Sequence, residues 1–534
     1  MPSPSYLGDH AADDHIAVLD TPTSPQPQRK RKWLVFSVLG LVVVGGAIAT
    51  TFAVLYSKSP SSAPPATASD AAIGGGAAND TTLPSVNGED LRKTPKPTTV
   101  DVNPKSDPEK ATMAFSMLAI GDWGSTTGKV TGSNENAGSC CILYSDRVNP
   151  NEDRFKVDFW SQKHVAMLLG KSASELKPVR ILGHGDNMYW NGVGSKDVTY
   201  RFTETFENVY NQPSLAGIKW LNVAGNHDIG GSSFVCGDKD NEFRECTSTA
   251  ELLAALDERF SLQQKYVSPD QQRWVLKDHY YVESFEKDGV SVDIFNIDTN
   301  HADSHGARQV CCQCFGYSGK LKLPSKTCDS VLPGDARCAG GNADMYKACM
   351  DKIESWAQDS YTQAARDLKA STATFKIINT HYSPHYHMGE PKMKAWYKLC
   401  KDYGVNAWFN GHTHGFNHDI ANWGTHFFEN GGGGGIYTKS ANGATTDYVK
   451  SQWMAGGFPY GFMELSFSAD WLKVQFATFD QAWQFGGNAL ESTTQGGVRR
   501  GHCWFVPHAK AAALGAVGVE CKSSVNGAIG APLT

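Results

Sequence analysis

The chain has 534 residues, of which 40% are hydrophobic and 19% are charged, and its formal net charge is -6. This length allows one large domain with extensions, or two ordinary domains. The small negative charge gives no reason to expect nucleic acid as a partner, because such proteins present basic surfaces. Thirteen cysteines and fourteen tryptophans are the unusual features of the composition.

The N-terminal region predicts a membrane anchor. Residues 1–32 are polar and end in a basic cluster, and residues 33–56 form an uncharged apolar run. About twenty helical residues span the hydrocarbon core of a bilayer, so this run is long enough to cross it. A cleaved signal peptide would have a shorter apolar core nearer the N-terminus, so an uncleaved anchor is favoured. The basic cluster, rather than acting as a nuclear signal, predicts a cytosolic tail and an extracellular or lumenal remainder.

The segment after the anchor predicts a stalk. Residues 57–112 are rich in Ser, Pro, Ala, Thr and Gly and have no hydrophobic periodicity, which is typical of disordered linkers. The stalk contains Asn79-Asp80-Thr81, the one N-glycosylation sequon in the sequence, on the predicted exported side. At the other end of the chain, the Ala- and Gly-rich residues 506–534 predict a weakly structured tail.

Six cysteines lie within residues 311–349, in a segment rich in Gly, Ser, Lys and Asp. They are Cys311, Cys312, Cys314, Cys328, Cys338 and Cys349. In a cytosolic protein such a cluster would suggest zinc, but outside the cell thiols oxidise, and disulfides are favoured for a loop that lacks a core. The odd total leaves at least one cysteine unpaired or paired between chains, and the connectivity stays open.

From about residue 113, apolar runs of strand length are each followed by a polar cluster. The runs are 114–120, 179–182, 218–224, 290–297, 375–378 and 405–409. Helical spacing appears between them, at 155–169 and 353–368, and residues 462–476 alternate like a hairpin around Ser468. This alternation predicts an α/β fold with its polar clusters gathered at the strand ends. We therefore expect one catalytic domain at 113–505, with the cysteine-rich segment as an insertion.

The polar clusters supply seven candidate metal ligands. They are Asp122, Asp186, Tyr189, Asn226, His381, His412 and His414. Taken alone, each has a structural alternative as a helix cap, a turn residue, a core aromatic or a surface histidine. Seven oxygen and nitrogen ligands are too many for one tetrahedral zinc, and suit two five- or six-coordinate ions that share a bridging carboxylate.

The motifs GDWG, GDNMY, GNHD, NTHYSP and GHTH, with the final PYGFMELSF, give the chain a recognisable family pattern. The sequence resembles the small, tartrate-resistant type of purple acid phosphatase, within the calcineurin-like metallophosphoesterases, over most of residues 113–480. The resemblance implies a β-sandwich flanked by helices, with a dinuclear metal site at the strand ends. The family commonly has Asp between the last two histidines, where this chain has Thr413, but that position is not a ligand.

The resemblance also implies a role for each candidate ligand. Fe(III) would be held by the residues Asp122, Asp186, Tyr189 and His414, and a divalent Fe, Zn or Mn ion by Asp186, Asn226, His381 and His412. Asp186 would be the bridge between the two ions. The phenolate of Tyr189 distinguishes this family from other metallophosphoesterases, so Tyr189 carries the assignment to it.

The leaving group also needs a proton donor. The resemblance points to His227, beside ligand Asn226, with His385 or His387 as a possible second donor. His184 lies near Asp186 and is either structural or catalytic. The predicted function is an exported, membrane-anchored acid phosphatase that hydrolyses phosphate monoesters with metal-activated hydroxide.

Two alternatives to this function stay open. One is a phosphodiesterase or nucleotide pyrophosphatase on the same metal core, which a comparison of monoester and diester substrates would separate. The other is a non-catalytic surface-display protein, against which the intact set of seven ligands argues. The physiological substrate and the oligomeric state stay open.

Overall fold

The computed structural model describes residues 83–93, 104–124, 157–239, 242–269, 273–324, 328, 330–435, 440–444, 446–457, 459–487 and 489–525. The predicted cytosolic tail, the anchor at 33–56 and the sequon at Asn79 lie outside these residues. Within the described ranges, no helix is both long enough and apolar enough to cross a membrane.

One sheet contains the first four strands of the domain and its last four. These strands are β1 (Phe115–Ile120), β2 (Arg180–Gly183), β3 (Lys219–Asn222), β4 (Trp274–Val275), β12 (Gly461–Phe467), β13 (Trp471–Phe479), β14 (Val498–Pro507) and β15 (Val519–Glu520). Their order in the sheet is β15-β14-β13-β12-β1-β2-β3-β4. Strands β1 to β4 are parallel to one another, whereas β12 to β15 pair antiparallel.

The second sheet is built from the middle of the chain. Its strands are β5 (Tyr280–Lys287), β6 (Val290–Ile297), β7 (Phe375–Asn379), β8 (Ala407–Asn410), β9 (Phe416–Ala421), β10 (His426–Asn430) and β11 (Val449–Met454). Their order is β11-β9-β10-β8-β7-β6-β5. The pairs β6–β7, β7–β8 and β8–β10 are parallel, so each sheet has a parallel centre.

Helices cover both outer faces of the two sheets. The described α-helices are Gly88–Arg92, Ser161–Leu176, Val198–Phe202, Thr249–Lys265, Ala307–Cys312, Cys314–Leu321, Ala343–Ala370, Pro384–His387, Glu390–Tyr403 and Ala509–Ala512. One π-helical turn, Thr203–Glu207, continues the helix Val198–Phe202.

The core lies in three layers, which explains why the central strands are apolar on both faces. In β1, Met117 and Ala119 pack between the sheets, whereas Leu118 and Ile120 pack under the outer helices. Successive side chains of a strand point to opposite faces, so a strand that is buried on both sides reads as a continuous apolar run. The predicted α/β sandwich flanked by helices is confirmed, as is the hairpin of β12 and β13.

The structure corrects the prediction of a disordered stalk through residue 112. Residues 83–93 include the helix Gly88–Arg92, whose Leu91 is buried in the core beneath the second sheet. Leu83 and Val86 pack against the same cluster, and Lys401 Nζ donates to Lys93 O at 2.6 Å. The prediction relied on the average composition of residues 57–112 and did not detect these three apolar side chains. They are enough to hold a short segment against an existing core.

The predicted weakly structured tail, 506–534, is also corrected over its described part. Strand β14 extends to Pro507, the helix Ala509–Ala512 follows, and β15 adds a further strand to the sheet edge. The disulfide Cys503–Cys521 joins this segment to β14. A composition rich in alanine and glycine predicts weak structure, but small residues also allow close packing.

The prediction of disulfides in the cysteine-rich insertion is confirmed. The pairs are Cys311–Cys349, Cys312–Cys338 and Cys314–Cys328. A further disulfide joins Cys236 to Cys246, and Cys400 is a free, buried thiol. The insertion is therefore stapled both internally and to the long helix Ala343–Ala370.

His164, on the helix Ser161–Leu176, predicts a loss of stability in acid. Its ring nitrogens lie 3.2 Å from Val157 O and 3.1 Å from Thr493 Oγ1, and burial lowers its pKa to about 4. In the unfolded chain, His164 binds a proton when the pH falls below its usual pKa of about 6.5. In the folded state it does not bind that proton until about pH 4. Stability present above pH 6.5 is therefore lost as the pH falls.

Between pH 7.5 and pH 5, we expect the free energy of unfolding of the His164→Gln variant to fall by about 2 kcal/mol less than that of the native protein. Glutamine can still bond Thr493 but does not titrate. The measurement is the free energy of unfolding in urea at the two pH values, with the disulfides intact. Equal losses in the two proteins would show that His164 is not held neutral by the fold.

Candidate metal centre

All seven candidate ligands lie just beyond the carboxyl ends of parallel strands. Asp122, Asp186 and Asn226 follow β1, β2 and β3 of the first sheet, whereas His381 follows β7 of the second sheet. His412 and His414 follow β8, and Tyr189 lies on the turn after Asp186. Because the parallel strands of both sheets end at the same edge, residues nearly 300 positions apart in sequence converge.

Three of these residues have the left-handed backbone conformation that non-glycine residues seldom adopt. The φ angles are 51° at Asp122, 51° at Asp186 and 71° at His412. Such residues are uncommon and cluster at functional sites, where the surroundings hold them in place. The chain therefore turns sharply at each of these three strand ends, and the turn directs the side chain toward the other ligands.

Glycines in the motifs allow the close approach of backbone to ligand. A Cβ on Gly225 would overlap Asp186 Oδ1, and a Cβ on Gly411 would overlap Asp122 Oδ2. The backbone N–H of His412 donates to Asp122 Oδ2 at 2.7 Å, and that of His227 donates to Asp186 Oδ1 at 3.0 Å. The GNHD and GHTH loops thus fix both carboxylates.

The ligand atoms form two overlapping groups that share Asp186. Asp122, Asp186 and His414 offer donor atoms within 4.8 Å of one another, and so do Asp186, His381 and His412. Tyr189 Oη lies 3.3 Å from Asp122 Oδ1, 3.1 Å from Asp186 Oδ2 and 3.4 Å from His414 Nε2, so it belongs to the first group.

Asn226 belongs to the second group of ligand atoms. Its Oδ1 lies 3.2 Å from His381 Nε2, which in turn lies 3.2 Å from His412 Nδ1. Each group therefore contains four donors when Asp186 is counted in both. The family resemblance implies the same partition, in which Asp186 would be the bridge between the two ions.

The charge balance of the site fits cation binding. Asp122 and Asp186 are fully buried, and burial raises the pKa of Asp122. Burial also opposes ionisation of Asp186, but the charges of His381 and His227 outweigh it and lower its pKa. Burial likewise acts against protonation of His381, yet Asp186 raises its pKa to about 9. Two buried carboxylates need positive partners, which metal cations can supply together with oxygen and imidazole ligands.

Residues around the ligands fix their orientation. His381 Nδ1 lies 2.7 Å from the carbonyl oxygen of His184, so Nδ1 carries a proton. Nε2 lies 3.2 Å from Asn226 Oδ1 and 3.5 Å from Asp186 Oδ2. Asp228 accepts from the backbone N–H groups of Asn187, Met188 and Gly225 at 3.0, 3.1 and 2.8 Å. This carboxylate therefore ties the loop that carries Asp186 and Tyr189 to the loop that carries Asn226.

His227, the first predicted proton donor, lies at the site. Its Nδ1 is 2.6 Å from Trp190 O, and its ring centroid is 4.5 Å from that of Tyr189. A carbonyl can only accept, so Nδ1 carries a proton and Nε2 is the nitrogen that can exchange one.

The structure places the two candidate second proton donors, His385 and His387, in different surroundings. His387 has its ring centroid 4.7 Å from that of His412, but both of its ring nitrogens are engaged. Nδ1 accepts from the backbone N–H of Ser383 at 3.0 Å, and Nε2 lies 3.0 Å from Thr413 Oγ1. His385 instead lies 3.3 Å from the carboxylate of Asp419, and its ring packs on Phe427.

His184 lies beneath the site and supports it. Its ring nitrogens lie 2.6 Å from Asn379 Oδ1 and 3.0 Å from Asn430 Nδ2, and burial lowers its pKa to about 3. Sequence reasoning missed a nearby histidine, His305, whose ring centroid is 5.9 Å from that of His412. No local signal indicated it, since His305 does not directly follow a strand.

The fold consists of two packed sheets with parallel central strands. Carboxylates, imidazoles, an amide and a phenol lie together at the ends of these strands. This combination is typical of the dinuclear metallophosphoesterases. The family model described as calcineurin-like phosphoesterase matches residues 115–416, more than half of the chain. The chain belongs to this family, and within it the chain is similar to purple acid phosphatases.

Three relatives illustrate this similarity. Purple acid phosphatase 17 of Arabidopsis thaliana is 25% identical over 263 residues, covering 48% of this chain and 59% of the relative. Tartrate-resistant acid phosphatase type 5 of Oryctolagus cuniculus is 32% identical over 120 residues, covering 22% of this chain and 29% of the relative. A purple acid phosphatase from seeds of yellow lupin, Lupinus luteus, superposes with a TM-score of 0.37 at 12% identity, covering 74% of this chain and 54% of that one. The chain thus spans less than two thirds of each.

Proposed function

We propose that the protein is an acid phosphatase of the purple acid phosphatase type, which hydrolyses phosphate monoesters at a centre of Fe(III) and a divalent ion. The observation that carries this proposal is the position of Tyr189. Its hydroxyl lies 3.1 to 3.4 Å from Asp122, Asp186 and His414, the other three candidate ligands of the first group. A phenolate in the first group of ligands makes the two metal positions chemically different. Fe(III) is a hard ion that binds phenolate oxygen well, so we assign it to the first group.

Two cations held by these two groups of ligands would lower the pKa of a bound water and neutralise phosphate oxygens. The protein residues supply the remaining requirements. Asp186 and Asp122 are held by backbone N–H groups, so their oxygens are in place before substrate arrives. His227 presents Nε2, while Trp190 O holds its other nitrogen, which suits donation of a proton to the leaving oxygen.

The edge of the site that faces solvent indicates the direction from which substrate enters. Asp122, Asp186, Tyr189, Asn226 and His381 are buried, whereas His412 and His414 are partly exposed. A phosphate group would therefore approach across the GHTH loop, and the leaving group would stay toward solvent.

We further propose that the catalytic domain is exported and tethered by the apolar run at 33–56, with its N-terminus in the cytosol. The support is the basic cluster before that run and the five disulfides of the described residues, since such bonds persist in oxidising compartments. The proposed partners are a phosphomonoester substrate and, through the anchor, a membrane.

The experiment that tests the function measures metals and substrate choice together. We expect two metal ions per chain, at least one of them iron, and hydrolysis of p-nitrophenyl phosphate with kcat/KM at least about tenfold above that for bis(p-nitrophenyl) phosphate. Both substrates release the same phenol, so the comparison isolates the charge and bulk of the phosphate. A preference for the diester would assign the centre to phosphodiesterase chemistry, and the absence of bound metal would overturn the proposal.

A further inference from the structure

We propose that His305 contacts the phosphate group of the substrate, and that the disulfide-stapled insertion serves to hold His305 in place; this inference rests on the proposed function. His305 is partly exposed, and its ring centroid is 5.9 Å from that of His412. It therefore stands at the side of the site where buried ligands give way to solvent. The family resemblance assigns no role to this position.

The backbone at His305 is held in a demanding conformation. Its φ angle is 53°, in the left-handed region that histidine seldom adopts. The carbonyl oxygen of His305 accepts from Tyr382 Oη at 3.0 Å, and the same hydroxyl lies 3.0 Å from Asn226 Oδ1. Tyr382 thus links the backbone of His305 directly to a candidate metal ligand.

The loop that carries His305 is attached to the neighbouring loop of the site. The backbone N–H of Asp303 donates to His387 O at 2.9 Å, and Asp303 Oδ2 accepts from the backbone N–H of Gly389 at 2.6 Å. Lys392 Nζ lies 3.2 Å from Asp303 Oδ1. His305 therefore sits on a loop fixed at both the backbone and the side-chain level.

Hydrogen bonds also set the proton position on the His305 ring. Gln309 Nε2 lies 2.8 Å from His305 Nδ1, and Ser232 Oγ donates to Gln309 Oε1 at 2.9 Å. An amide nitrogen can only donate, so Gln309 Nε2 donates and His305 Nδ1 accepts. The neutral imidazole then carries its proton on Nε2, which makes Nε2–H a hydrogen-bond donor suited to a phosphate oxygen.

The cysteine-rich insertion begins at the helix that positions Gln309. This helix, Ala307–Cys312, is tied by Cys311–Cys349 to the helix Ala343–Ala370 and by Cys312–Cys338 to the rest of the insertion. A six-residue helix is too short to be stable alone. The disulfides therefore make the insertion a rigid support for the hydrogen-bonded series Ser232–Gln309–His305.

The test uses His305→Asn, because asparagine tolerates the left-handed backbone but lacks the ring nitrogen. Loss of one charge-assisted hydrogen bond should raise KM for p-nitrophenyl phosphate, and the Kd of inorganic phosphate measured by calorimetry, by about tenfold each. Metal content and kcat should change by less than about threefold, because the lost hydrogen bond affects phosphate binding and not the metal ligands. Gln309→Leu should shift both constants in the same direction, by a smaller factor, while leaving the ring intact.

His508→Asn is the matched control, since His508 caps the distant helix Ala509–Ala512 and asparagine caps helices equally well. It should leave KM and phosphate affinity unchanged. Native values of both constants in the His305 and Gln309 variants would overturn the inference, even if the protein is an active phosphatase. Phosphate binding by a metal-loaded native protein that hydrolyses no ester would instead refute the proposed function, and the calorimetric comparison would still decide the role of His305.

Discussion

Asp186→Asn is expected to lower kcat/KM for a phosphate monoester by more than the roughly 10²- to 10⁴-fold expected when a proton donor such as His227 is lost. Asp186 is the one residue shared by both groups of candidate ligand atoms. Asparagine keeps the shape of the side chain and one oxygen, but it removes the negative charge and one of two acceptor atoms. The metal content should therefore fall from two ions per chain to one or fewer, which elemental analysis measures.

The companion variant His227→Ala separates metal binding from proton transfer. It should retain both ions, and its activity loss should be larger for an alkyl phosphate than for p-nitrophenyl phosphate, because a poor leaving group depends more on a proton donor. Asp158→Asn is the control for burial, since Asp158 is a buried carboxylate that accepts from Tyr460 Oη at 2.7 Å away from the ligand groups. If the Asp186 variant kept two metals and near-native turnover, Asp186 would not be the bridge.

The candidate site could be predicted largely because six of the seven ligands lie within four residues of the end of an apolar strand. Strand-length runs before Asp122, Asp186 and Asn226 indicated strand ends, and parallel strands bring such ends to one edge. The structure brings all seven predicted ligands together there. That they bind metal stays a prediction, which the Asp186 and Tyr189 variants test.

Other features of the site required tertiary information. His385 and His387 are two residues apart on the helix Pro384–His387, and this spacing turns the side chains about 200° apart, so only one can face the site. Which of them does so depends on how the loop docks against Thr413 and Asp419. His305 depends on still more, namely a left-handed backbone angle and packing between two loops that are about 80 residues apart. No periodicity encodes such contacts.

The oxidised native protein should be coloured, and Tyr189→Phe should remove the colour. A phenolate bound to Fe(III) gives a ligand-to-metal charge-transfer band in the visible range, which aspartate, histidine or zinc ligation cannot produce. Tyr189 is the tyrosine whose hydroxyl lies within 3.4 Å of Asp122, Asp186 and His414. Part of the hydrolytic activity should survive in the variant, since the remaining ligands still position two cations.

Tyr382→Phe is the matched control for this loss of colour. Tyr382 is also fully buried at the site, but its hydroxyl lies 3.0 Å from Asn226 Oδ1, in the other group of ligands. Its removal should leave the visible band in place, so a band that disappeared in both variants would report a general collapse of the site. A colourless native protein that carried two zinc or manganese ions and hydrolysed monoesters equally well would exclude a ferric phenolate centre. Tyr189 would then be a buried tyrosine hydrogen-bonded to carboxylates, and the chain would use the chemistry of the wider metallophosphoesterase family without iron.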